Sequence, residues 1–325
     1  MRNLETSYMG LKLKNPIIVS SSGLTNSVEK IKLLEEKNAG AVVLKSLFEE
    51  QINFEAGDLL RYNDFPGAED YILTYSKNNS VEEYLKLIRE AKRAVSIPII
   101  ASINCVSAAD WSQFAKRVEE AGADAIELNI YLFPNKKDIS AEELENKYYA
   151  IVRKVKSLIK IPIAVKIGSQ FTNHPAFVEQ LSANGASAVV LFNRFYEPDI
   201  DIQEMKITSS EVFSNPTNIR NSLRWVGLIS ESVNGIQISA STGVHSGEAA
   251  IKQLLASATT VQICSVIYKN GTSEINKILN DLTDWMTQKN FKTIKDFRGK
   301  MSSKSIANPS VYERAQFMKY FSNVE

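Results

Sequence analysis

The residues of this sequence that could do chemistry stand where its short apolar runs end. Each run is followed by a stretch with helical periodicity, and polar side chains fall at the junctions. Two lysines and three amides share this placement: Lys45, Lys166, Asn104, Asn129 and Asn193. If the runs are parallel strands of one barrel, their carboxyl ends meet at one mouth and these side chains converge. Such a set suits an anionic, planar ligand that forms hydrogen bonds.

Each of these residues also has a purely structural interpretation. A lysine in an apolar strand can form a buried ion pair, for example with Glu127. Asn129 and Asn193 can serve as caps of strand ends. Because the two lysines stand at equivalent ends of separate strands, a shared ligand explains the pattern better than two unrelated ion pairs.

Two later segments are typical of anion-binding loops. Ser241, Thr242 and Gly243 follow the seventh apolar run, and Cys264 and Ser265 end the eighth. In β/α barrels, the loops after these two strands commonly bind phosphate. The residues 246–248 open the following helix, whose N-terminus favours an anion. The glycines could instead be turn residues without a ligand.

The elements that must position these residues form a regular series. Eight apolar runs alternate with helix-patterned stretches, and no change of composition divides the chain. We therefore predict a single-domain α/β protein over residues 1–325, a (β/α)8 TIM barrel with parallel strands. The absence of a Gly-x-Gly-x-x-Gly motif after the first run argues against a dinucleotide-binding sheet. The runs are 15–22, 41–46, 98–104, 125–130, 162–168, 188–193, 236–241 and 261–266.

Two long stretches interrupt the series, 49–79 after the second run and 194–215 after the sixth. Long loops inside compact domains are usually functional or disordered. The tail 301–325 is rich in aromatic residues and is predicted to be a C-terminal helical extension that packs on the barrel or on a partner subunit. Capping patterns predict helix starts at Asn26, Ser80, Ser107 and Ser140.

Composition excludes several classes of function. The net charge of +1 gives no reason to expect nucleic acid or an anionic membrane as a partner. No apolar run approaches the roughly 20 residues that span a bilayer, and the first residues lack the apolar core of a signal peptide, so we expect a cytoplasmic protein. Cys105 and Cys264 are expected to be reduced, and His174 and His245 show no metal-ligand spacing. We expect no metal site.

Taken together, these residues resemble the soluble, class 1 type of dihydroorotate dehydrogenase, a family of FMN-containing barrels. The resemblance covers nearly the whole chain, to about Lys300, and lies in the order and spacing of short motifs. The motifs are Asn15-Pro16, Ser21-Ser22-Gly23, Lys45-Ser46, Glu127-Leu128-Asn129, Pro134-Asn135, Val165-Lys166, Asn193, the run 236–247, Gln262-Ile263-Cys264-Ser265 and Asp296-Phe297-Arg298-Gly299-Lys300.

The resemblance implies roles for these residues. Lys45 and Lys166 would contact the flavin ring, where a cation stabilises the negative charge of reduced flavin. The phosphate would be held by Thr242, Gly243, Cys264 and Ser265. The implied cofactor-binding residues are, in full, Ser21, Ser22, Gly23, Lys45, Ser46, Asn104, Lys166, Ser241, Thr242, Gly243, Cys264 and Ser265. The implied substrate-binding residues are Asn129, Asn135 and Asn193.

The sequence departs from the family pattern at the substrate side. Phe133 stands where the family places a Cys or Ser base, in a loop that is one residue longer. The family's Asn-rich loop after the second strand is replaced by 65–71. Lys45 and Tyr131 are therefore the predicted catalytic residues. The ordinary phenol pKa of about 10 makes Tyr131 a poor base without strong activation.

The main hypothesis is an FMN-dependent CH-CH oxidoreductase that passes hydride between a dihydroorotate-like small molecule and flavin N5, as in pyrimidine biosynthesis. The alternatives are a flavin oxidoreductase with another substrate, an FMN binder without turnover, and a barrel that uses Lys45 or Lys166 as a Schiff-base nucleophile, as aldolases do. By analogy with the family, the electron acceptor would be fumarate or a partner flavoprotein, and the chain would form a homodimer.

Overall fold

A closed barrel forms the centre of the protein in the computed structural model, which describes residues 2–48, 68–105, 108–195 and 197–313. Eight parallel strands form the barrel, and an antiparallel hairpin, β1 and β2, precedes it. The strands are β1 (Thr6–Tyr8), β2 (Leu11–Leu13), β3 (Ile17–Val19), β4 (Ala41–Val43) with its continuation β5 (Leu47–Phe48), β6 (Ile99–Cys105), β7 (Ala125–Ile130), β8 (Ile163–Ile167), β9 (Ala188–Leu191), β10 (Pro198–Asp201), β11 (Lys206–Ser209), β12 (Gln237–Ala240) and β13 (Thr260–Ile263). Pairing of β13 with β3 closes the ring.

Helices follow the strands and cover the outside of the ring. They are α1 (Val28–Glu36), α2 (Ala68–Ala94), α3 (Ala108–Glu120), α4 (Ala141–Lys156), α5 (His174–Ala183), α6 (Ile219–Ser232), α7 (Gly247–Leu255), α8 (Ser265–Asn270), α9 (Glu274–Gln288) and α10 (Ser310–Glu313). The strands are apolar on both faces because one face meets these helices and the other fills the barrel. The predicted (β/α)8 fold is confirmed.

The interior of the barrel is closed at the amino ends of its strands. Four strands present alanine there, and these small side chains leave room for Tyr8, Met9 and Leu13 of the N-terminal hairpin. The alanines are Ala41, Ala125, Ala164 and Ala188. Because the hairpin fills this end, a ligand can enter the barrel only from the carboxyl ends of the strands.

The capping predictions had mixed outcomes. The capping box of Ser140 and Glu143 is confirmed at the start of α4. Asn26 was the wrong choice for α1, because Ser27 is the cap and its hydroxyl accepts from the Lys30 N–H. Ser80 was wrong as a helix start, because it lies inside the continuous helix α2. The residues 68–79 contain neither glycine nor proline, so nothing in them stops the helix before Ser80. Ser107 lies outside the described residues.

The long stretch after the sixth barrel strand forms an insertion. An exposed antiparallel hairpin of β10 and β11 occupies its middle. Of the stretch after the second barrel strand, 49–67 lies outside the described residues and 68–79 begins α2. In the tail, the described part contains α10, where Tyr312 donates a hydrogen bond to the Met301 carbonyl and packs on Gly227 of α6. Among the described residues, no helix is long and apolar enough to cross a membrane.

A buried histidine lies in the aromatic contact between α5 and α6. The imidazole of His174 stacks on the Trp225 indole with ring centroids 4.0 Å apart, and Phe192 meets it edge-on at 5.4 Å. Neither ring nitrogen makes a hydrogen bond of regular geometry with a described residue, although the Ser169 backbone lies close enough to oppose the effect of burial on the pKa. Burial lowers the pKa of His174 to about 4. The ring is therefore neutral at pH 7 and packs as an aromatic side chain.

We expect this histidine to destabilise the fold in acid. The unfolded chain binds a proton at His174 below about pH 6.5, whereas the folded chain resists it until about pH 4. Unfolding is therefore favoured as pH falls through this window, by about 3 kcal/mol at its lower end. Denaturant unfolding between pH 7 and 4 should show a steeper loss of stability for the wild type than for His174→Phe.

The matched control is Phe291→Leu, which alters the aromatic cluster of Trp285, Phe291 and Phe297, where His174 takes no part. It should change the free energy of unfolding by the same amount at every pH. Equal pH slopes for the wild type and His174→Phe would contradict the prediction.

Candidate active site

Polar side chains fill the upper half of the barrel interior. Along each strand, side chains alternate between the helix layer and the interior, so the interior rows can be followed upwards. The lower positions are apolar, as at Ile18 and Ile100. The positions above them are mostly buried and polar: Ser20, Ser102, Asn104, Glu127, Asn129, Lys166, Ser239, Ser241 and Gln262. A polar layer at the mouth, above an apolar base, marks this end as the site.

Lys166 is held at the centre of this layer by contacts from the facing strands. Its Nζ donates to Ser20 Oγ at 3.0 Å and to Gln262 Oε1 at 3.4 Å, and lies 3.7 Å from Glu127 Oε1. The Gln262 amide donates to Glu127 Oε2 at 2.6 Å. The ion pair with Glu127, one of the two interpretations left open by the sequence, therefore exists. The same lysine also lines a cavity at the mouth, so the two interpretations are compatible.

A bulge in the second barrel strand places Lys45 and Ser46. Val43 pairs with Ile100 and Leu47 with Ile103, so four steps along one strand match three along its neighbour. The extra residue breaks the alternation and re-aims side chains, as bulges do beside active sites. The Ser46 hydroxyl lies 3.0 Å from Ser21 Oγ and 2.7 Å from Ser102 Oγ. Lys45 is half-buried beside it.

We call the cavity above Lys166 the central cavity; its volume is about 450 Å³. It brings together eight of the residues predicted from the sequence, from five barrel strands. Its described lining residues are Ser20, Ser21, Lys166, Asn193, Arg194, Val212, Phe213, Ser214, Ser241, Thr242, Gly243, Val244, Gln262, Cys264, Ser265 and Tyr268. Its volume lies within the range of about 300–1,000 Å³ that is usual for cofactor and ligand sites.

The loop after β12 makes a tight turn whose backbone packs closely against the start of α6. Thr242 and Gly243 both have positive φ, at 72° and 82°. A Cβ at residue 243 would lie 2.1 Å from the Ile219 nitrogen, so only glycine fits there. Thr242 has a Cβ in a conformation that L-residues rarely adopt, and its hydroxyl donates to the Phe192 carbonyl at 2.9 Å. The hydroxyl is thereby used inside the protein, which leaves backbone N–H groups for a ligand.

Cys264 stands at the other side of the same cavity, before α8. Its thiol is free, and burial raises its pKa, against smaller opposing effects of Ser22 and Lys166. A raised pKa keeps the sulfur protonated, so Cys264 behaves as a small side chain rather than a nucleophile. The side chain of Cys105 lies outside the described part of the protein.

The insertion after β9 covers part of the central cavity, which the sequence did not indicate. Ser214 is buried, and its N–H donates to Ser265 Oγ at 3.1 Å. Its hydroxyl lies 2.8 Å from His245 Nε2, and Lys269 donates to its carbonyl at 3.0 Å. Three contacts, two from α8 and one from the loop after β12, therefore fix the insertion over the mouth.

The predicted substrate amides are partly brought together. Asn193 donates to Asn129 Oδ1 at 2.8 Å, so these two act as one unit. Asn104 is buried, and its side-chain oxygen has no hydrogen-bond partner among the described residues. Asn135 is exposed in the loop after β7 and is not among the described lining residues of the central cavity.

The loop after β7 holds aromatic side chains where the family pattern places a base. Phe133 is 55% exposed. Tyr131 stacks on Phe195 with ring centroids 4.0 Å apart, and Phe195 in turn lies on Gly168, where a Cβ would be 2.4 Å from its ring. Desolvation raises the pKa of Tyr131. The raised pKa does not favour the phenolate that a base at this position would need.

A second cavity of about 220 Å³, which we call the side cavity, adjoins the central cavity. The two share Asn193, Arg194, Ser241 and Thr242 among their described lining residues. Arg194 was missed in the sequence because it follows the strand end by one residue and lies in the insertion. The adjacent Asn193 was the only signal that could have indicated it.

The donors around the central cavity fit a planar ligand with an anionic tail. Lys166 supplies a cation at the barrel centre. Asn104, which is not among the described lining residues of this cavity, has an unused buried acceptor. The same lining includes the turn at Gly243 and Ser265 at the start of α8, which present hydroxyl and N–H groups suited to a phosphate. The residues present therefore fit a flavin nucleotide. Among the described residues, no group of three His, Cys, Asp or Glu side chains could hold a metal ion.

Comparison with known proteins agrees with this geometry. A family model described as dihydroorotate dehydrogenase matches residues 3–286. The catalytic subunit of dihydroorotate dehydrogenase B (NAD(+)) from Thermoplasma volcanium is 28% identical over 314 residues, which cover 92% of this chain and 98% of that protein. The proteins of the same name from Thermoplasma acidophilum and Alkaliphilus oremlandii are 26% and 27% identical, and each match covers 92% of this chain and 99% of that protein. The chain belongs to the dihydroorotate dehydrogenase family.

Proposed function

We propose that this protein is an FMN-dependent oxidoreductase that acts on the CH-CH bond of a small, dihydroorotate-like molecule. The observation that carries the proposal is the position of Lys166, fixed by Ser20, Gln262 and Glu127 at the base of the central cavity. When bound there, FMN would accept a hydride at N5 of its ring. Family membership supports the dihydroorotate dehydrogenase-like activity, and the donor set supports the cofactor.

We assign the flavin ring, the phosphate and the substrate to three different groups of residues. Lys45 and Lys166 would place positive charge at the electron-rich edge of the ring, together with Ser21, Ser22, Gly23, Ser46 and Asn104. Ser241, Thr242, Gly243, Cys264 and Ser265 would hold the phosphate. The amide pair of Asn129 and Asn193, with Asn135 from the loop, would orient the substrate.

Proton removal is the step for which this chain differs most from the family pattern. Oxidation of a dihydropyrimidine releases a proton as well as a hydride, and a base must lie within hydrogen-bond reach. We propose Tyr131 as the base, because Phe133 carries no titratable group, and Lys45 as the catalytic cation that contacts the flavin ring. The absence of a titratable group at residue 133 also favours a second candidate function, an FMN-binding protein without turnover on dihydroorotate.

The relatives' names guide the choice of electron acceptor. Because the three relatives above are named for NAD(+), NAD(+) is the first acceptor to assay, and fumarate and a partner flavoprotein follow. We further propose a cytoplasmic homodimer and a single FMN-binding domain over residues 1–325, in which 301–325 is a helical extension.

The direct test is the visible spectrum of the purified protein, followed by anaerobic addition of dihydroorotate. We expect bound FMN that is bleached by dihydroorotate. A protein that takes up no FMN on reconstitution would contradict the proposal. Bound FMN that dihydroorotate does not bleach would support the non-catalytic binder or a different substrate. A borohydride-trapped adduct with a carbonyl substrate would instead support the Schiff-base alternative.

Lys166 has a structural role as the ion-pair partner of Glu127 and a proposed role in FMN binding. Variants of both residues can separate the two roles. Lys166→Met leaves the buried carboxylate unpaired, so we expect a loss of about 3–5 kcal/mol in the free energy of unfolding. The double variant Lys166→Met, Glu127→Gln removes both charges and should regain most of that stability. It should not regain FMN affinity, because the cation at the ring is still missing.

Stability is measured by denaturant unfolding and affinity by quenching of FMN fluorescence. The matched control is Lys86→Met, because Lys86 forms an exposed ion pair with Glu90 on α2 and is not among the described lining residues of the central cavity. Full FMN affinity in the double variant would refute the cofactor role of Lys166.

The role of Tyr131 can be read from the pH dependence of flavin reduction. Because its pKa is raised above 10, the phenolate fraction grows about tenfold per pH unit from pH 7 to 10. If Tyr131 is the base, the rate of flavin bleaching should rise in step, and Tyr131→Phe should be slower with a flat profile. FMN affinity should be unchanged. A Tyr131→Phe protein with the wild-type rate and profile would refute this role.

A further inference from the structure

Arg194 lies where the chain leaves the sixth barrel strand, on the wall shared by the central and side cavities. Its side chain is 19% exposed. One terminal nitrogen, Nη2, donates to the Glu211 carbonyl at 2.6 Å, which fixes the guanidinium against the insertion. The other, Nη1, is buried, and no described residue accepts a hydrogen bond from it. A buried donor without an acceptor costs free energy, so a ligand atom at that point would relieve the cost.

The charge of Arg194 is the less compensated of two cations that line the central cavity. Lys166 lies 3.7 Å from Glu127 inside the barrel, and both side chains are almost fully buried. The carboxylate nearest to Arg194 among the described residues is Glu197, also at 3.7 Å, but that side chain is 69% exposed. Water screens an exposed partner, so this contact neutralises little of the charge. Arg194 therefore remains available to an anion.

The side cavity has the size and lining for a small polar molecule. Its volume of about 220 Å³ is below the roughly 300 Å³ at which pockets for drug-sized ligands begin. Gln170, Asn193 and Asn221 contribute amides, and Tyr131 and Phe195 contribute aromatic faces. Gly243, Cys264 and Ser265, at the proposed phosphate edge, are among the described lining residues of the central cavity and not of the side cavity.

We propose that Arg194 binds a carboxylate of the substrate through Nη1 and makes the site select acids over uncharged analogues. A carboxylate that approaches Nη1 in the plane of the guanidinium can accept two parallel N–H hydrogen bonds. Both its charge and its planar shape are then recognised. This inference rests on the proposed function, since it names a specificity residue of the same site. The inference can be tested separately from the proposed function, because carboxylate binding can be measured whether or not flavin is bound.

The test uses orotate and uracil, which share the pyrimidine ring and differ by one carboxylate. Isothermal titration of the full-length protein should give tighter binding of orotate than of uracil. In Arg194→Gln, orotate should bind about 10- to 100-fold more weakly and uracil unchanged, because a charge-assisted hydrogen bond is lost. Acetate and benzoate extend the series to carboxylates without the pyrimidine ring.

Two matched controls belong to the same insertion. Lys206→Gln removes a cation whose ammonium pairs with Glu204 on the exposed hairpin, and it should leave orotate binding unchanged. Glu197→Gln removes the exposed carboxylate beside Arg194, and orotate binding should be equal or slightly tighter. Weaker orotate binding in Glu197→Gln would indicate that the ion pair, not the free Nη1, matters, and would overturn the proposal.

A measurement on the wild type keeps the proposal testable if Arg194→Gln does not fold. Phenylglyoxal modifies accessible arginines, and peptide mapping follows residue 194. Orotate should protect Arg194 several-fold better than uracil at the same concentration, and equal protection would overturn the proposal.

The outcomes separate this inference from the proposed function. Failure to bind FMN, together with an Arg194-dependent preference for orotate, would remove the flavin assignment and support the carboxylate site. If Arg194→Gln loses FMN but keeps the preference for orotate, the guanidinium serves the cofactor phosphate and the inference is wrong. The inference is also wrong if orotate, acetate and benzoate bind the wild type and Arg194→Gln with equal affinity. It is likewise wrong if none of the three binds to either protein.

Discussion

A buried ion pair between Lys166 and Glu127 is the contact on which the mouth of this barrel depends. Moving two charges out of water is costly, and their attraction repays it only when the remaining donors and acceptors are satisfied. Gln262 meets that condition in part, because its amide donates to the carboxylate oxygen Oε2 and its carbonyl oxygen faces the ammonium and the Ser20 hydroxyl. The other oxygen, Oε1, accepts no hydrogen bond from a described residue and has only the ion pair with Lys166. The four side chains come from four different strands, so the barrel itself, rather than any loop, sets the position of the cation.

The buried charge of Glu127 also explains why the site lies only at the carboxyl ends of the strands. Below the polar layer, Tyr8 enters the barrel from the N-terminal hairpin, and burial and the Glu127 charge both raise its pKa. Tyr8 therefore stays neutral and closes the barrel beneath the carboxylate without adding a charge. A ligand can meet Lys166 only from above, where the central cavity opens. Charge compensation below and access above make the lysine both a structural and a ligand-facing group.

Much of the fold could be predicted from sequence because its signals are local. Eight apolar runs with helical stretches between them indicate a closed barrel, and a serine with a glutamate three residues later starts α4 as expected. The same pattern failed at Ser80, because a capping serine starts a new helix only where the preceding residues do not already form one. Lys166 could be placed because a strand fixes the direction of each side chain. Arg194 and Ser214 could not, because periodicity says nothing about the path of an insertion, and the contact of Ser214 with His245 depends on that path.

The division between strands and loops also bears on the departure at residue 133. The residues that fit a flavin lie on strand ends and on two short turns, where Gly243 is held by the backbone of residues 218 and 219. Phe133 and Tyr131 lie on the loop after β7, whose aromatic stack rests on Phe195 and Gly168 instead of on the Lys166 network. A change of base at residue 133 therefore leaves the ion pair and the turns intact. The residues that we propose for cofactor binding are thus physically separate from the loop that we propose for proton transfer, so the second can change while the first stays the same.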